Sequence, residues 1–339
     1  MLCGKKISDF AKFDERRVGK MKKENLIGGG ILILCLVAII IGICLVFSQG
    51  TKGTKEQKGI AAAIVSQKKI AVVRIYGEIS FQNQAEEVFG GSVRSADRIV
   101  KRLSAIKHDP SIKAVILRIN SPGGTVAATQ EIYNQIKELK KSNKKVVVSI
   151  GDIGASGAYY IACPADKIVA NAGSLIGSIG VIMHLPEVSS LLEKVGVNLR
   201  VIKSGQHKDI GSMARPMSEE ESAILQGVID DAYQQFYRAV KNGRQNISET
   251  KLKELADGRI FTGQQAKKAG LIDEIGDYQQ TIDITAQLAG ITGTPAIIEE
   301  DEPFQWLKGL IEGFSPAHIS LINTPPLLKS PCLEYCWRP

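Results

Sequence analysis

The chain has 339 residues, 44% of them hydrophobic and 23% charged. That length allows two or three domains, and the composition excludes a disordered chain or a fibre. A formal net charge of +8 suggests a nucleic-acid or membrane partner, but residues 1–25 and 52–58 together hold six of those eight charges. The remainder is too weakly basic for a phosphate-binding surface, so no nucleic-acid partner is expected.

Residues 1–25 carry eight Lys and Arg against four acids, and Lys52, Lys55 and Lys58 follow a little further on. Between them, Leu26–Phe47 reads LIGGGILILCLVAIIIGICLVF, 22 residues without a charge. As a helix this covers about 33 Å, enough for a hydrocarbon core of about 30 Å. It is also longer than the roughly 7–15 apolar residues of a cleavable signal peptide. The excess of basic residues before the span places residues 1–25 in the cytoplasm. A single-pass anchor in the cell membrane is therefore predicted, with everything after Thr51 outside the cytoplasm. Cys35 and Cys44 fall inside the span, Cys163 stands alone, and Cys332 and Cys336 form a C-x-x-x-C pair near the end. These spacings predict neither a zinc site nor a disulfide framework.

Residues 48–67, rich in Gly, Lys and Gln, read as a linker. A single α/β region is expected over 68–290. Ile70–Tyr76, Lys113–Ile119 and Lys145–Ile150 are β-branched apolar runs, and helical patterns lie at 92–106 and 125–142. Further short strands are predicted near 167–170, 178–183 and 198–203, with a helix near 187–195. This alternation implies right-handed βαβ crossovers and a mostly parallel sheet. A long helix is predicted from Ser218 to Lys241, with Ser218 and Glu221 at capping-box spacing. Short helices follow from Ser248 and over 263–269, the latter stopped by Gly270. Residues 291–339 read as a tail of unassigned role, loose over the Pro-containing 322–339.

Open α/β sheets bind ligands at the carboxyl ends of their strands. Three small-residue segments fall there: NSPGG (120–124), GASGAYY (154–160) and GSLIGSIG (173–180). No phosphate loop or dinucleotide fingerprint is present, and no cofactor or metal is expected. Ser156 is the best nucleophile candidate, in a Gly/Ala turn between a hydrophobic strand and a short helix beginning near 157. Such a turn exposes a hydroxyl and aims backbone N–H groups at a developing oxyanion, although position 158 is Ala and the G-x-S-x-G form is absent. Of the four histidines, His108 and His318 read as surface residues. A lysine can replace histidine as the base, but an ordinary lysine titrates near about 10.4 and must be desolvated to serve. Lys203 and Lys208 both lie in Val201–Asp209, and spacing does not choose between them.

The segments NSPGG, DIGASGAYYIACPADKIVA (152–170), GSLIGSIGVI (173–182), IKSGQHKDIGS (202–212) and ADGRIFTGQQAKKAGLIDEIG (256–276) resemble the signal peptide peptidase SppA family, half-length bacterial type. The likeness spans about residues 68–290. It implies a Clp-protease/crotonase-like α/β fold with a parallel sheet core and a helical extension. It implies Ser156 as nucleophile, Lys208 as general base and Ser178 as the residue that orients the lysine. Gly124 and Gly157 match the backbone donors of the oxyanion hole. It further implies a membrane-tethered homo-oligomeric ring whose Ser–Lys dyads are completed across protomer boundaries, acting on remnant signal peptides. A crotonase-type acyl-CoA enzyme gives a Ser–Lys pair no role. The stomatin-associated membrane proteases bring further C-terminal spans, and no apolar run after residue 48 approaches 18 residues.

Overall fold

The computed structural model describes residues 68–81, 95–299 and 334–337. The expected cytoplasmic tail, the apolar run 26–47 and the linker to residue 67 lie outside them. Among the described residues, no helix is long and apolar enough to cross a membrane.

Strands β1 (Lys69–Tyr76), β2 (Ile112–Ser121) and β4 (Lys145–Ala155) form the centre of a sheet in which neighbours run parallel. Side chains alternate across a strand, so each run serves two layers. Val73, Ile75, Leu117, Ile119, Val148 and Ile150 join helices α1 (Ala96–His108) and α2 (Val126–Lys141) in the larger core. Those helices present Ile99, Leu103 and Ile106, and Ile132, Ile136 and Leu139, at the three-to-four-residue spacing of a helical stripe. Ile70, Val72, Ala114 and Ile116 point the other way, to Ile282 and Ala286.

β4 is where the sheet forks. Its residues 147–150 pair with β5 (Lys167–Ala170), while 153–155 pair with β6 (Leu175–Gly177). Between the branches, Asn120 fills the gap left by a register shift with β2: its Oδ1 accepts from Ile153 N at 3.0 Å and its Nδ2 donates to Asp152 at 2.9 Å. Ser174 Oγ donates to the Gly151 carbonyl at 2.5 Å, so the backbone at the fork is satisfied. The end of β4 is thereby paired to β6 within the same eight-stranded sheet, while β3 (Gly123–Thr125) belongs to a separate two-stranded one.

Helix α3 (Gly157–Ala162) follows β4, and α4 (Ser189–Lys194) is short and without buried residues. Helix α5 (Glu219–Gly243) starts on the expected capping box, Ser218 with Glu221, and its final turns bury Phe236, Tyr237 and Val240. Helices α6 (Glu249–Leu255) and α7 (Gly263–Ala269) follow as predicted, the latter ended by Gly270 at φ +81°. β7 (Ile260–Thr262) pairs antiparallel with β6, and β8 (Glu274–Ile275) pairs with β5. Helix α8 (Tyr278–Leu288) and strand β9 (Ala296–Ile298), which pairs with β1, were not anticipated. Neither was β10 (Glu334–Cys336), which pairs antiparallel with β3.

Two predicted strands are absent. Residues 178–183 hold only an isolated bridge at Ile182, and 198–203 have no regular structure. Val197, Leu199, Val201 and Ile202 have strand-forming character, but a strand exists only with a hydrogen-bonding neighbour, and this segment has none in the single chain.

Gly243 lies where α5 meets α3: a Cβ there would collide with the Cys163 carbonyl oxygen and lie 3.1 Å from the Cys163 Cβ. Gly243→Ala is expected to destabilise the domain by about 1–3 kcal/mol, despite alanine's better helix propensity, as measured by chemical denaturation.

Candidate active site

Ser156 sits between β4 and α3 at φ 54° and ψ −121°, a conformation that non-glycine residues adopt only under constraint. Two backbone bonds hold it there: Ser156 N donates to Gly177 O at 2.7 Å, and Tyr160 N to Ser156 O at 2.9 Å. The side chain is buried, 2% exposed. This is the sharp strand-to-helix turn expected from the sequence at Ser156.

The parallel register explains why Ser178 is near. Ala155 lies opposite Gly177 on β6, so Ser156 and Ser178 are the next residues on adjacent strands, about 5 Å apart in backbone spacing. Ser178 also has positive φ, 50°, with its N–H donated to Arg259 O at 2.8 Å. Both serines line one open cleft of about 360 Å³, with Ile182, Tyr233, Asp257 and Cys336.

Gly124 and Gly157 converge on the same place. Gly123 has φ +104°, and the Ser121 hydroxyl accepts from its N–H at 3.1 Å, which turns the chain out of β2. A Cβ on Gly124 would collide with the Ile79 carbonyl, and one on Gly157 would lie 2.6 Å from Thr129 Cγ2. Only glycine lets these two backbones approach so closely. A Cβ on Gly123 would lie 2.7 Å from the Gly157 nitrogen, so the two glycine turns abut.

Lys208 is not brought to this cleft. It is exposed in the turns of residues 204–211, and among the described residues no histidine, lysine or arginine lines the cleft. The other lysine left open by the sequence, Lys203, pairs with Asp209 at 2.6 Å and donates to Gln206 O. Asp257, which does line the cleft, is held at about 2 by hydrogen bonds from Arg259, which makes it a weak base.

Sequence reasoning missed what anchors the Lys208 turn. Arg215 donates to Asp209 at 2.8 Å and to Glu221, the capping residue of α5. This clamp fixes the residue next to Lys208 to a helix start. Hydrogen bonds from Arg215, then Lys203, hold the Asp209 carboxyl well below its ordinary range. Those from Arg215, then the Ser218 backbone, hold Glu221 at about 2.

The region 138–292 matches the model of peptidase family S49, and 77–178 matches that of Clp protease. The protein slr0021 of Synechocystis sp., with protease in its name, is 45% identical over 226 residues, which are 67% of this chain and 76% of that protein. The chain belongs to peptidase family S49. The chloroplastic serine protease SPPA of Arabidopsis thaliana is 32% identical over 76% of this chain and 38% of that protein. A protein of Enterococcus faecium named for signal peptide peptidase SppA is 37% identical over 64% of this chain and 63% of its own length. This S49 peptidase is accordingly a serine-type protease on a Clp-protease-like α/β fold with a mostly parallel sheet.

Carboxylates held low stabilise the clamp above their ordinary pKa, and that contribution disappears as pH falls through the lowered values. With Glu221 at about 2 against an ordinary 4.5, the clamp is intact at neutral pH and opens only as pH approaches 2. In Arg215→Gln, amides of residues 203–215 are expected to exchange faster at neutral pH, and Glu221 to titrate nearer 4.5. Hydrogen exchange and NMR titration read both.

Proposed function

We propose that this S49 peptidase is a membrane-anchored serine endopeptidase that uses a dyad of Ser156 from one copy and Lys208 from the next. Its substrates are the hydrophobic signal-peptide remnants left by secretion. One observation carries the reading: a strained, buried Ser156 beside the Gly124 and Gly157 turns, in a cleft lined by no basic side chain among the described residues. The base must come from elsewhere, and the segment bearing Lys208 is the part of the chain prepared to dock. Leu191, Val195, Leu199, Val201 and Ile202 on it are each more than half exposed. Covering that surface with a second copy removes apolar area from water, at about 25 cal/mol per Å², and desolvates a lysine brought to the cleft.

In this reading Lys208, neutral in the dry interface, accepts the Ser156 proton as Oγ attacks the peptide carbonyl carbon. The N–H groups of Gly157 and Gly124 stabilise the oxyanion, each worth about 2.7–4 kcal/mol by analogy with other such donors. Lys208 then protonates the leaving amine, and water hydrolyses the acyl-enzyme. Ser178 orients the lysine amine, as its level beside Ser156 allows. The apolar run 26–47 tethers a ring of copies to the cell membrane, catalytic domains outside the cytoplasm, where released signal peptides are within reach. The Enterococcus faecium relative supports that substrate class by its name.

Ser156→Ala and Lys208→Ala are each expected to lower hydrolysis of a hydrophobic peptide by at least about a thousandfold. Co-assembled in equal amounts, the two inactive variants should regain activity, about a quarter of the sites joining an intact serine to an intact lysine of the next copy. A mixed assembly as inactive as either parent would exclude a shared dyad.

A further inference from the structure

The parallel strands of the main sheet begin together. Lys69 lies opposite Ile112, Ala114 opposite Lys145 and Val147 opposite Lys167, so β1, β2, β4 and β5 start at one end of the domain. Helices α1 and α2 finish at that end, at His108 and Lys141. Residues 68–69, 107–113, 137–145 and 164–167 lie there and hold ten lysines against three carboxylates, Asp109, Glu138 and Asp166. Their formal charge is +7, while the whole chain after residue 58 carries only +2. The near-neutral sum of that part hides a separation, a basic end on an otherwise acidic stretch of chain.

Helix carboxyl termini attract cations, and ion pairs account for several of these lysines. Lys107 and Lys141 share Glu138 at 3.1 and 2.7 Å, and Lys140 pairs with Asp166 at 3.2 Å. Lys144 is buried and donates to the Asp109 and Ile112 carbonyls. Asp109 itself accepts from the Ser111 hydroxyl at 2.7 Å. Lys69, Lys113 and Lys145 are left, each within the first two residues of its strand and none ion-paired among the described residues. Strand β2 lies between β1 and β4, at about 4.8 Å from each, so the three lysines form a row. Neither a helix end nor a partner explains three like charges side by side, which repel unless an anion lies across them. Beside the row, Lys137, Lys140 and Lys141 line a cavity of about 340 Å³ whose other walls include Tyr133, Pro164 and Ala165.

We infer that this end of the sheet, with Lys69, Lys113 and Lys145 at its centre and the lysine-lined cavity beside them, docks on a bilayer surface of anionic, phosphate-bearing lipid headgroups. The inference rests on the reading of residues 26–47 as a membrane anchor. Lys68, the first described residue, opens the same end, and the 20 residues 48–67 join it to the apolar run. A flexible chain of that length has an average reach of about 25 Å, so the unpaired lysines belong to the part of the domain tethered nearest the bilayer. A headgroup layer supplies a plane of negative charge to face a row of lysines and a cavity together, where a single small anion would cover only part of them. Docking in this way turns the other end of β4, which carries Ser156, away from the lipid, on the order of 30 Å above the headgroups.

The test reconstitutes the full chain in vesicles of phosphatidylcholine, with or without phosphatidylglycerol, acetylates exposed amines and reads each lysine by mass spectrometry. Lys69, Lys113 and Lys145 are expected to react at least about fivefold more slowly on the anionic vesicles, with Lys253 of α6 unchanged, and high salt should abolish the protection. Each lysine near an anionic surface favours docking about fivefold, so Lys69→Gln, Lys113→Gln and Lys145→Gln combined should weaken it about a hundredfold. That loss is read as faster acetylation of Lys140 and Lys141, while unchanged hydrolysis of a soluble peptide shows the variant to be folded. Equal reactivity on both vesicles, with the chain floating with each, would overturn the inference and leave the anchor standing. A chain that floats with neither would remove both. Flotation with the anionic vesicles alone, reversed by salt, would keep the docking surface and remove the anchor. Soluble polyphosphate that protects the row on neutral vesicles as well as phosphatidylglycerol does would overturn the assignment to lipid.

Discussion

The site depends on a backbone conformation that costs energy, and the fork in β4 is what sustains it. A serine at φ 54° and ψ −121° costs on the order of 1–3 kcal/mol and persists only where its surroundings over-determine it. Here they do. The residues before Ser156 are locked by parallel pairing to β6, its own N–H is held by Gly177, and its carbonyl starts α3 through Tyr160. The same pairing brings a second strained serine, Ser178, to the same level. Side-chain identity matters less at this stage than the absence of side chains at 123, 124 and 157, where a methyl group would separate the turns.

The electrostatics of the molecule are concentrated away from that turn. Among the described residues no cationic side chain lines the cleft, while Arg215, Lys203, Asp209 and Glu221 form a charge cluster at the base of the exposed segment. In the proposed assembly this separation has a chemical rationale. A cationic side chain beside Ser156 would stabilise charge without accepting a proton, whereas a lysine delivered across a dry interface can be neutral. Clamping Asp209, the next residue in the chain, to Arg215 and Lys203 also keeps that carboxylate engaged.

Much of this was legible in the sequence, for identifiable reasons. β1, β2 and β4 are apolar on both faces because both are covered, and uninterrupted β-branched runs betray that. Ser218 with Glu221, and Gly270, report their helix ends because caps are local chemistry. Ser156 stood out because small residues crowd it. What failed was non-local. Residues 198–203 read as a strand because Leu199, Val201 and Ile202 fall among polar residues, yet propensity cannot supply a partner strand. In α8, Ile and Thr in TIDIT masked the helix, although Asp277 and Gln280 form a capping box that could have announced it. β10 pairs with residues more than two hundred positions earlier, and a Pro-containing tail gives no hint of such an address. Nor could spacing separate Lys203 from Lys208. The structure distinguishes them physically, because Lys203 is committed to Asp209 and Gln206.

The position of β10 shows how residues far apart in the chain complete the wall of the cleft. The strand is paired on both edges, and its one wholly buried side chain, Tyr335, fixes its place. Enclosing an aromatic ring among Tyr160 and Phe236 removes on the order of 150–250 Å² from water, far more than the edge contacts of the flanking residues. The Tyr335 hydroxyl donates to Ala232 O at 2.6 Å, so the phenol is satisfied where it is buried. Backbone pairing along both edges sets the register of β10, and the enclosed ring supplies most of its buried surface. Cys336 is thereby placed in the same cleft as Ser156.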